Sequence, residues 1–334
     1  MNQWFRVSWA AAALSVAVHA ALSADTTPPA DQRAAMSAAL ARQAKIPDTP
    51  GTGPFAAIKE ETPSLPDHVV YRPARLNELG ATKLGIYVFG NGACSNDGAG
   101  ARLHLLEIAS HGYLAIAPGR IRTGPGATVP PTPPPTPSAA QGAVASPRIA
   151  ALLTSARDLT SALDWALAQN ANPQSPYFEK IDPRAVAVSG YSCGGLQALE
   201  IAHDPRIKTV VVMNSGIFNP GTAPIPSMSY SKTLLDTLHT PTLYLLGGKT
   251  DIAYANGMDD FARITRVPVF MGNVLNVGHA GTYWEPNGGK AAEAVVAWLQ
   301  WQLRNDSRAA QMFVGKDCGL CRDSAWAVEK KNID

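Results

Sequence analysis

The sequence predicts an α/β protein with one mostly parallel central sheet and helices on both of its faces. Short apolar runs bounded by glycine or proline recur along the chain, at lengths that fit buried strands better than helices. Amphipathic segments with helical periodicity separate several of these runs, most clearly at 150–170 and 291–303. A repeated strand–loop–helix order indicates a parallel sheet, because each helix returns the chain to the starting edge.

Residues 1–24 have the features of a secretory signal peptide. Arg6 supplies a positive charge before an alanine-rich apolar stretch, and small residues suited to cleavage follow that stretch. The stretch is shorter than the roughly 20 residues that a membrane-spanning helix needs. We therefore expect a secreted or periplasmic protein without a membrane anchor.

The rest of the chain divides into three parts, although its 334 residues could also hold two small domains. Residues 25–67 are predicted to form an N-terminal extension, with a helix over 31–45 followed by an irregular segment. Residues 68–304 form the α/β domain, and residues 305–334 form a C-terminal tail that carries a C-x-x-C motif.

A proline-rich segment at 124–147 interrupts the domain. It holds eight of the 27 prolines of the chain, and proline cannot donate the hydrogen bonds of a helix or a sheet. A linker between domains is one interpretation. Because the strand–helix order continues across the segment, we favour a loop inserted into one domain, on the side where the strands end.

The strands and helices follow from the apolar runs taken in order. An edge strand is expected at 68–71. The buried strands are predicted at 83–89, 113–117, 185–189, 209–213, 242–246 and 267–271. Helices are predicted at 103–110, 150–170, 196–202 and 291–303. Loops that follow parallel strands share one edge of the sheet, where α/β proteins bind their ligands.

The strongest motif joins the strand at 185–189 to the helix that follows it. Gly190-Tyr-Ser192-Cys-Gly194 matches G-x-S-x-G. In such a nucleophile elbow the chain turns so sharply that the serine backbone is strained, and the glycines leave room where a Cβ would collide. The turn would place the Ser192 hydroxyl at the carboxyl edge of the sheet, beside a helix N-terminus. An ordinary turn with an exposed serine is the alternative.

An acid and a histidine follow Ser192, each just after a predicted strand. Asp251 and His279 therefore belong at the same sheet edge, and the order serine, acid, histidine is that of α/β catalytic triads. We expect Ser192 as nucleophile, His279 as its base and Asp251 as the carboxylate that orients the base. Asp251 could instead cap a helix, and His279 could be a surface residue. The rival carboxylates Asp259 and Asp260 would lie inside that helix and face elsewhere.

Two backbone N–H groups are predicted to form an oxyanion hole. Cys193 follows the nucleophile, and Ala93 lies in the glycine-rich turn after the strand at 83–89. Gly92 and Cys94 are alternatives to Ala93, and a plain turn is the simplest interpretation of that segment. Aromatic residues near the catalytic loops are candidates for an apolar substrate pocket: Tyr191, Tyr254, Tyr283 and Trp284.

These motifs resemble those of secreted serine esterases of the α/β-hydrolase superfamily. The resemblance covers about residues 68–304 and lies in Gly190-Tyr-Ser-Cys-Gly-Gly195, Gly247-Gly-Lys-Thr-Asp251 and Gly278-His279. The most similar branch contains dienelactone hydrolases, platelet-activating-factor acetylhydrolases and cutinase-like polyester hydrolases. Two departures stand out: dienelactone hydrolases usually have a cysteine nucleophile, and polyester hydrolases often carry methionine where this chain has Cys193.

The resemblance implies an α/β-hydrolase fold and a two-step transfer of an acyl group through Ser192, without a metal or an organic cofactor. The substrate would be a small-molecule or polymeric ester. A peptidase or amidase and an acyltransferase with the same triad remain alternatives. A non-catalytic binding protein of the same fold is another, although an intact Ser–Asp–His set argues against it.

Composition and cysteine placement limit the other possibilities. Charged residues make up 16% of the chain and the formal net charge is +2, which argues against a nucleic-acid partner. We expect a monomer. Cys318 and Cys321 are expected to form a local disulfide, because a zinc site would need two further ligands. Cys94 and Cys193 either bond to each other or remain separate buried thiols.

Overall fold

A single mixed sheet forms the centre of the computed structural model, which describes residues 42–128, 153–221 and 230–334. Its strands are β1 (Ala57–Thr62), β2 (Leu65–Pro73), β3 (Leu84–Gly90), β4 (Tyr113–Pro118), β5 (Ile181–Tyr191), β6 (Thr209–Met213), β7 (Thr242–Leu246), β8 (Val269–Val274) and β9 (Trp326–Lys331). Their spatial order is β1-β2-β4-β3-β5-β6-β7-β8-β9. Strands β3 to β8 are parallel to one another, whereas β2 and β9 run antiparallel to their inner neighbours.

Helices cover both faces of the sheet. They include α1 (Arg102–Ser110), α2 (Ala156–Ala171), α3 (Cys193–Ile201), α4 (Tyr254–Arg263), α5 (Gly289–Arg304), α6 (Ser307–Ala310) and α7 (Gly319–Arg322). Residues 42–45, at the end of the predicted N-terminal helix, are also helical. Helices α2, α3 and α4 pack in one apolar layer, and α1 and α5 pack in the other. Within the described ranges, no helix is long and apolar enough to span a bilayer.

The central strands supply side chains to both layers in alternation. In β3, Ile86 and Val88 face the layer with α2 and α3, while Tyr87 and Phe89 face the layer with α1 and α5. Because both faces are covered, the strands are apolar throughout instead of alternating with polar residues. The structure confirms the predicted α/β class and its mostly parallel sheet.

Helix α2 begins later than the sequence predicts. The expected range was 150–170, but the first helical residue is Ala156, and residues 150–152 lie outside the described ranges. Ser155 and Asp158 form a capping box, in which the Asp158 carboxylate accepts a hydrogen bond from the Ser155 backbone N–H at 2.6 Å. This box satisfies N–H groups that a helix start otherwise leaves without partners, and it fixes the start of the helix.

The sheet extends beyond both ends of the predicted 68–304 domain. Strand β1 pairs antiparallel with β2, so the segment at 68–71 is not an edge strand, as the sequence predicts, but lies one strand inside the edge. Strand β1 reads AIKEET, and only Ala57 is fully buried. A charged edge strand of this kind has no apolar run to reveal it, which explains the error.

The predicted C-terminal tail is part of the fold. Strand β9 widens the sheet by pairing antiparallel with β8. The ammonium group of Lys331, the last residue of β9, caps the end of helix α4. Its Nζ donates to the carbonyl oxygens of Phe261 at 2.6 Å, Ala262 at 2.9 Å and Ile264 at 3.2 Å. The last carbonyls of a helix have no partners within the helix and carry partial negative charge, so a lysine there is stabilising.

Three predicted segments fall wholly or partly outside the described residues. They are the signal peptide at 1–24, residues 31–41 of the expected N-terminal helix and residues 129–147 of the proline-rich segment. The described residues from 43 onward belong to one compact unit, so the described part of the extension is continuous with the α/β domain.

Lys331→Met should lower the free energy of unfolding by about 1–2 kcal/mol, because it removes charge-assisted hydrogen bonds and keeps most of the apolar stem. Urea unfolding of the two proteins measures the difference. The matched control is Lys316→Met, at an exposed position of the same tail, where we expect almost no change. Equal effects of the two substitutions would contradict the capping role.

Candidate active site

Three side chains predicted as a triad meet at the carboxyl edge of the sheet. Ser192 follows β5, Asp251 lies in the loop after β7, and His279 lies in the loop after β8. The Ser192 Oγ is 2.9 Å from His279 Nε2, and His279 Nδ1 is 2.7 Å from Asp251 Oδ1. The structure therefore brings the three predicted residues into one hydrogen-bonded series.

The carboxylate of Asp251 determines which nitrogen of His279 carries the proton. Burial opposes ionisation of Asp251, but hydrogen bonds from His279, from the backbone N–H groups of Ala253 and Gly247, and from Asn214 hold its pKa below the usual value. An ionised carboxylate can only accept, so Nδ1 of His279 donates to it. The Nε2 atom then accepts from the serine hydroxyl, as a general base requires.

The backbone of Ser192 is held in an unfavourable conformation. Its φ of 53° lies in the left-handed region, which a serine adopts at a cost. The Ser192 N–H donates to the Met213 carbonyl oxygen at 3.0 Å, and the Ser215 hydroxyl donates to the Ser192 carbonyl oxygen at 2.7 Å. These bonds to the end of strand β6 and the loop after it fix the sharp turn that the motif predicts.

Glycines make room for this turn. A Cβ atom on Gly190 would overlap the backbone of Gly194, and a Cβ on Gly194 would overlap the carbonyl group of Gly90. Strand β3, strand β5 and helix α3 therefore approach more closely than residues with side chains would allow. The sequence motif identifies Gly190 and Gly194, and the structure adds Gly90 from the neighbouring strand.

A disulfide joins the two loops that hold the predicted oxyanion donors. Cys94 bonds to Cys193, with their Cα atoms 5.2 Å apart, which resolves the pairing that the sequence leaves open. Ala93 precedes Cys94 in a turn where both residues have positive φ, and the Cys193 backbone begins helix α3. The two peptide N–H groups predicted to face an oxyanion are thus tethered to each other through one covalent bridge.

The second predicted disulfide, Cys318–Cys321, is confirmed. It lies in the tail, where Cys318 precedes helix α7 and its sulfur accepts a hydrogen bond from the Cys321 N–H at 3.1 Å. Two disulfides are compatible with a protein of an oxidising compartment.

Of the three partly exposed aromatic residues, Tyr191 contacts His279 directly. The Tyr191 hydroxyl donates to the His279 carbonyl oxygen at 2.9 Å, and the two ring centroids are 5.4 Å apart. Trp284 lies edge-on to Tyr191, with 6.5 Å between ring centroids, and its Nε1 donates to the Gly100 carbonyl oxygen at 3.1 Å. Tyr254 begins helix α4 and packs against the apolar layer there.

Tyr283 does not line a substrate pocket, contrary to the sequence prediction. Its side chain is 1% exposed, and its hydroxyl donates to Asn214 Oδ1 at 2.8 Å. The ring packs beneath Tyr191, with centroids 4.5 Å apart. The prediction rests on its nearness to the predicted catalytic loops along the chain, but the ring is buried at this point.

Asn214 is the residue that sequence reasoning missed. It follows strand β6 with a φ of 44° and is 4% exposed. Its Nδ2 donates to Asp251 Oδ2 at 2.8 Å and lies 3.2 Å from the Gly278 carbonyl oxygen. The sequence signal that could have identified Asn214 is its position, because it directly follows a buried strand that ends at the same sheet edge as Ser192.

Asp259 and Asp260, the alternative candidates for the acid, make contacts elsewhere. Asp260 is buried in helix α4 and accepts from the Ile217 N–H at 2.8 Å and from Lys232 Nζ at 2.6 Å. Asp259 pairs with Arg263 at 2.7 Å. Asp251 itself accepts from the Ala253 N–H at 2.9 Å near the start of helix α4. It therefore makes the expected helix-capping contact as well as its bond to His279.

No family model matches the chain, and a search of curated proteins finds no relative. Any assignment of function therefore rests on the geometry of this site and on the chemistry that its side chains permit.

A second histidine, His104, lies deep in the layer behind the site. It is completely buried, its Nε2 is 3.0 Å from the Tyr87 hydroxyl, and its ring centroid is 6.0 Å from that of Tyr283. Burial lowers the pKa of His104 from 6.5 to about 3, and the negative charge of Glu107 opposes this shift only weakly. The folded protein therefore keeps this imidazole neutral in mild acid.

Removal of the Cys94–Cys193 bridge should destabilise the protein more than removal of Cys318–Cys321. The first closes a sequence separation of 99 residues and the second a separation of 3. Chain entropy gives about 5 kcal/mol for the long loop and about 2 kcal/mol for the short one. Denaturant unfolding of C94A/C193A and C318A/C321A tests this order. A larger loss in the tail variant would show that the long bridge does not constrain the chain in this way.

His104 should make the folded state less stable in mild acid. The unfolded chain binds a proton near pH 6.5 and the folded protein only near pH 3, so stability falls as the pH decreases between these values. The slope is up to about 1.4 kcal/mol per pH unit. We expect His104→Leu to show a shallower acid slope than wild type, and His239→Gln, at an exposed position, to match wild type. Identical slopes in wild type and His104→Leu would refute the assignment.

Proposed function

We propose that this chain is a carboxylic-ester hydrolase of the α/β-hydrolase superfamily that acts through Ser192, His279 and Asp251. The observation that carries the proposal is the unbroken hydrogen-bond series from the Ser192 hydroxyl through His279 to Asp251. The chain order serine, acid, histidine and the positive φ of the serine at a strand-to-helix turn support this superfamily.

The reaction proceeds in two halves. In the first, His279 Nε2 takes the hydroxyl proton as Ser192 Oγ attacks the ester carbonyl carbon, which forms a tetrahedral oxyanion. His279 then gives that proton to the departing alcohol oxygen as the carbon–oxygen bond breaks, which leaves an acyl group on Ser192. In the second half, His279 deprotonates a water that attacks the acyl carbon. The bond from that carbon to Ser192 Oγ then breaks, His279 returns the proton to Oγ, and the acid departs.

Asp251 favours the charged state of His279 that arises in both halves. The carboxylate is 2.7 Å from Nδ1 and is held by backbone N–H groups of Gly247 and Ala253 at 3.0 and 2.9 Å. It therefore needs no rearrangement when the imidazolium forms. Preorganised charge of this kind lowers the barrier, because no solvent must reorient during the reaction.

The proposed oxyanion hole consists of the backbone N–H groups of Cys193 and Ala93. The first belongs to the N-terminal residue of helix α3, where the helix dipole favours negative charge. Its disulfide to Cys94 supports a fixed spacing between the two donors. In this role Cys193 acts through its backbone, since its sulfur is consumed in the bridge.

The substrate surface is proposed to include Tyr191, Tyr254 and Trp284, all of them partly exposed. Tyr191 contacts His279, the Tyr254 N–H donates to the Asp251 carbonyl oxygen, and Trp284 packs edge-on to Tyr191. Ile252 follows Asp251 and is 79% exposed, which adds an aliphatic group beside the same loop. An apolar acyl or aryl group would suit these neighbours better than a charged one. Export is proposed as well, supported by the signal-like N-terminus and the two disulfides.

Hydrolysis of a chain-length series of nitrophenyl esters tests the proposal. We expect wild type to cleave at least one member, and Ser192→Ala to reduce kcat on the order of 10⁶-fold or below detection. Ser324→Ala, at an exposed position in the tail, should retain the wild-type rate. A nitroanilide series measured in parallel detects amide cleavage. Full activity of Ser192→Ala would place the chemistry elsewhere.

A further inference from the structure

We propose that Asn214 is a positioning residue that fixes Asp251 and the loop of His279 in one geometry, and that Tyr283 orients its amide. The proposal rests on the hydrolase function above and deepens it. Neither residue contacts the reacting atoms. Both would act through the side chains that do.

The amide of Asn214 contacts both of the loops that must be aligned. Its Nδ2 donates one hydrogen to Asp251 Oδ2 at 2.8 Å. The other hydrogen is directed to the carbonyl oxygen of Gly278 at 3.2 Å, in the residue that precedes His279. A single NH₂ group thus bridges the acid and the histidine loop, and its two hydrogens have fixed relative directions.

The orientation of this amide follows from its neighbours. The Tyr283 hydroxyl donates to Asn214 Oδ1 at 2.8 Å and is itself buried. If the amide were flipped, its oxygen would face the ionised Asp251 and the Gly278 carbonyl, which are both acceptors. These two acceptors determine that the NH₂ group faces the acid, and the Tyr283 hydroxyl, by donating to Oδ1, holds the amide in that orientation.

The division of contacts on Asp251 limits how much Asn214 can contribute. Asp251 Oδ1 faces His279 and the Ala253 N–H, while Oδ2 receives Asn214 and the Gly247 N–H at 3.0 Å. Without Asn214, the carboxylate keeps its backbone bonds and its bond to His279 but loses one of the two donors to Oδ2. The expected cost is therefore smaller than loss of Asp251 itself and typical of a small misplacement of a catalytic group.

The backbone conformation of Asn214 is one that glycine can also adopt. Its φ of 44° lies in the left-handed region, and its N–H donates to the Leu245 carbonyl oxygen at 2.6 Å. Asparagine tolerates this conformation better than most residues, although glycine suits it best. Substitution by glycine therefore removes the side chain without straining the backbone.

The backbone carbonyl groups of Gly278 and His279 each accept a hydrogen bond from a side chain. Asn214 contacts the Gly278 carbonyl, and the Tyr191 hydroxyl donates to the His279 carbonyl at 2.9 Å. Tyr191 packs on Tyr283 with ring centroids 4.5 Å apart, and Tyr283 donates to Asn214, so Tyr283 links the two anchors. The imidazole is consequently fixed through both of its flanking peptide groups.

The test compares Asn214→Gly and Tyr283→Phe with wild type in ester hydrolysis. Glycine accepts the positive φ and removes only the amide, and phenylalanine removes only the hydroxyl. We expect kcat to fall about 10- to 100-fold in Asn214→Gly with KM nearly unchanged, and by a smaller factor in Tyr283→Phe. The matched control is Asn305→Gly at the end of helix α5, which has a φ of 57° and should keep the wild-type kcat.

A double variant separates positioning through Asn214 from independent effects. If Tyr283 acts through the amide, Tyr283→Phe should have no further effect in the Asn214→Gly background. Additive losses would overturn that part of the proposal. A rise in KM with unchanged kcat in Asn214→Gly would assign the residue to substrate binding and would overturn the positioning role.

A spectroscopic measurement distinguishes failure of this proposal from failure of the hydrolase assignment. In histidine-labelled protein, the Nδ1 proton that His279 shares with Asp251 gives a low-field proton resonance without any substrate. We expect this resonance to weaken or shift in Asn214→Gly and to be unchanged in Asn305→Gly. If wild type cleaves no ester, the hydrolase assignment fails while the resonance still tests positioning. An unchanged resonance in Asn214→Gly would refute the positioning role.

Discussion

The close approach of strand β3, strand β5 and helix α3 at Gly90, Gly190 and Gly194 is the constraint on which the site depends. Any side chain at Gly190 or Gly194 would overlap neighbouring backbone, and the turn at Ser192 would open. The cost of the strained serine is offset by the hydrogen bonds that the turn makes to strand β6 and its following loop, and by burial of the surrounding strands. Tight packing at three glycines thus leads to an exposed hydroxyl at the edge of a rigid sheet.

The polar groups behind the Ser192 hydroxyl form a hydrogen-bond network, in which the position of each group depends on its neighbours. Asp251 receives donors on both oxygens, and Asn214 and Tyr191 anchor the peptide groups that flank His279. Such a network is stable inside a protein only when its donors and acceptors are paired, because an unpaired buried polar group costs free energy. The contacts that stabilise the loops are therefore the same contacts that align the proposed catalytic groups.

Much of the fold and the meeting of Ser192, Asp251 and His279 at one sheet edge could be predicted because they depend on local patterns. Buried parallel strands are short apolar runs, and Ser192, Asp251 and His279 each follow one. What escaped prediction depends on contacts between distant segments or on weak local patterns. The charged edge strand β1 lacks an apolar run, and burial of Tyr283 depends on an inward fold of its loop. Cys94 bonds to Cys193, which is 99 residues away along the chain, and Asn214 contacts Asp251, which is 37 residues away.

The most direct test of the central claim is covalent labelling of the folded protein, disulfides intact, with a fluorophosphonate, followed by mapping of the modified peptide. The reagent phosphonylates only a serine that a neighbouring base activates, and it needs no knowledge of the natural ester. The account predicts a single adduct on Ser192, absent after denaturation and strongly slowed in His279→Ala. The absence of any adduct on the folded protein, or an adduct on a different residue, would contradict it.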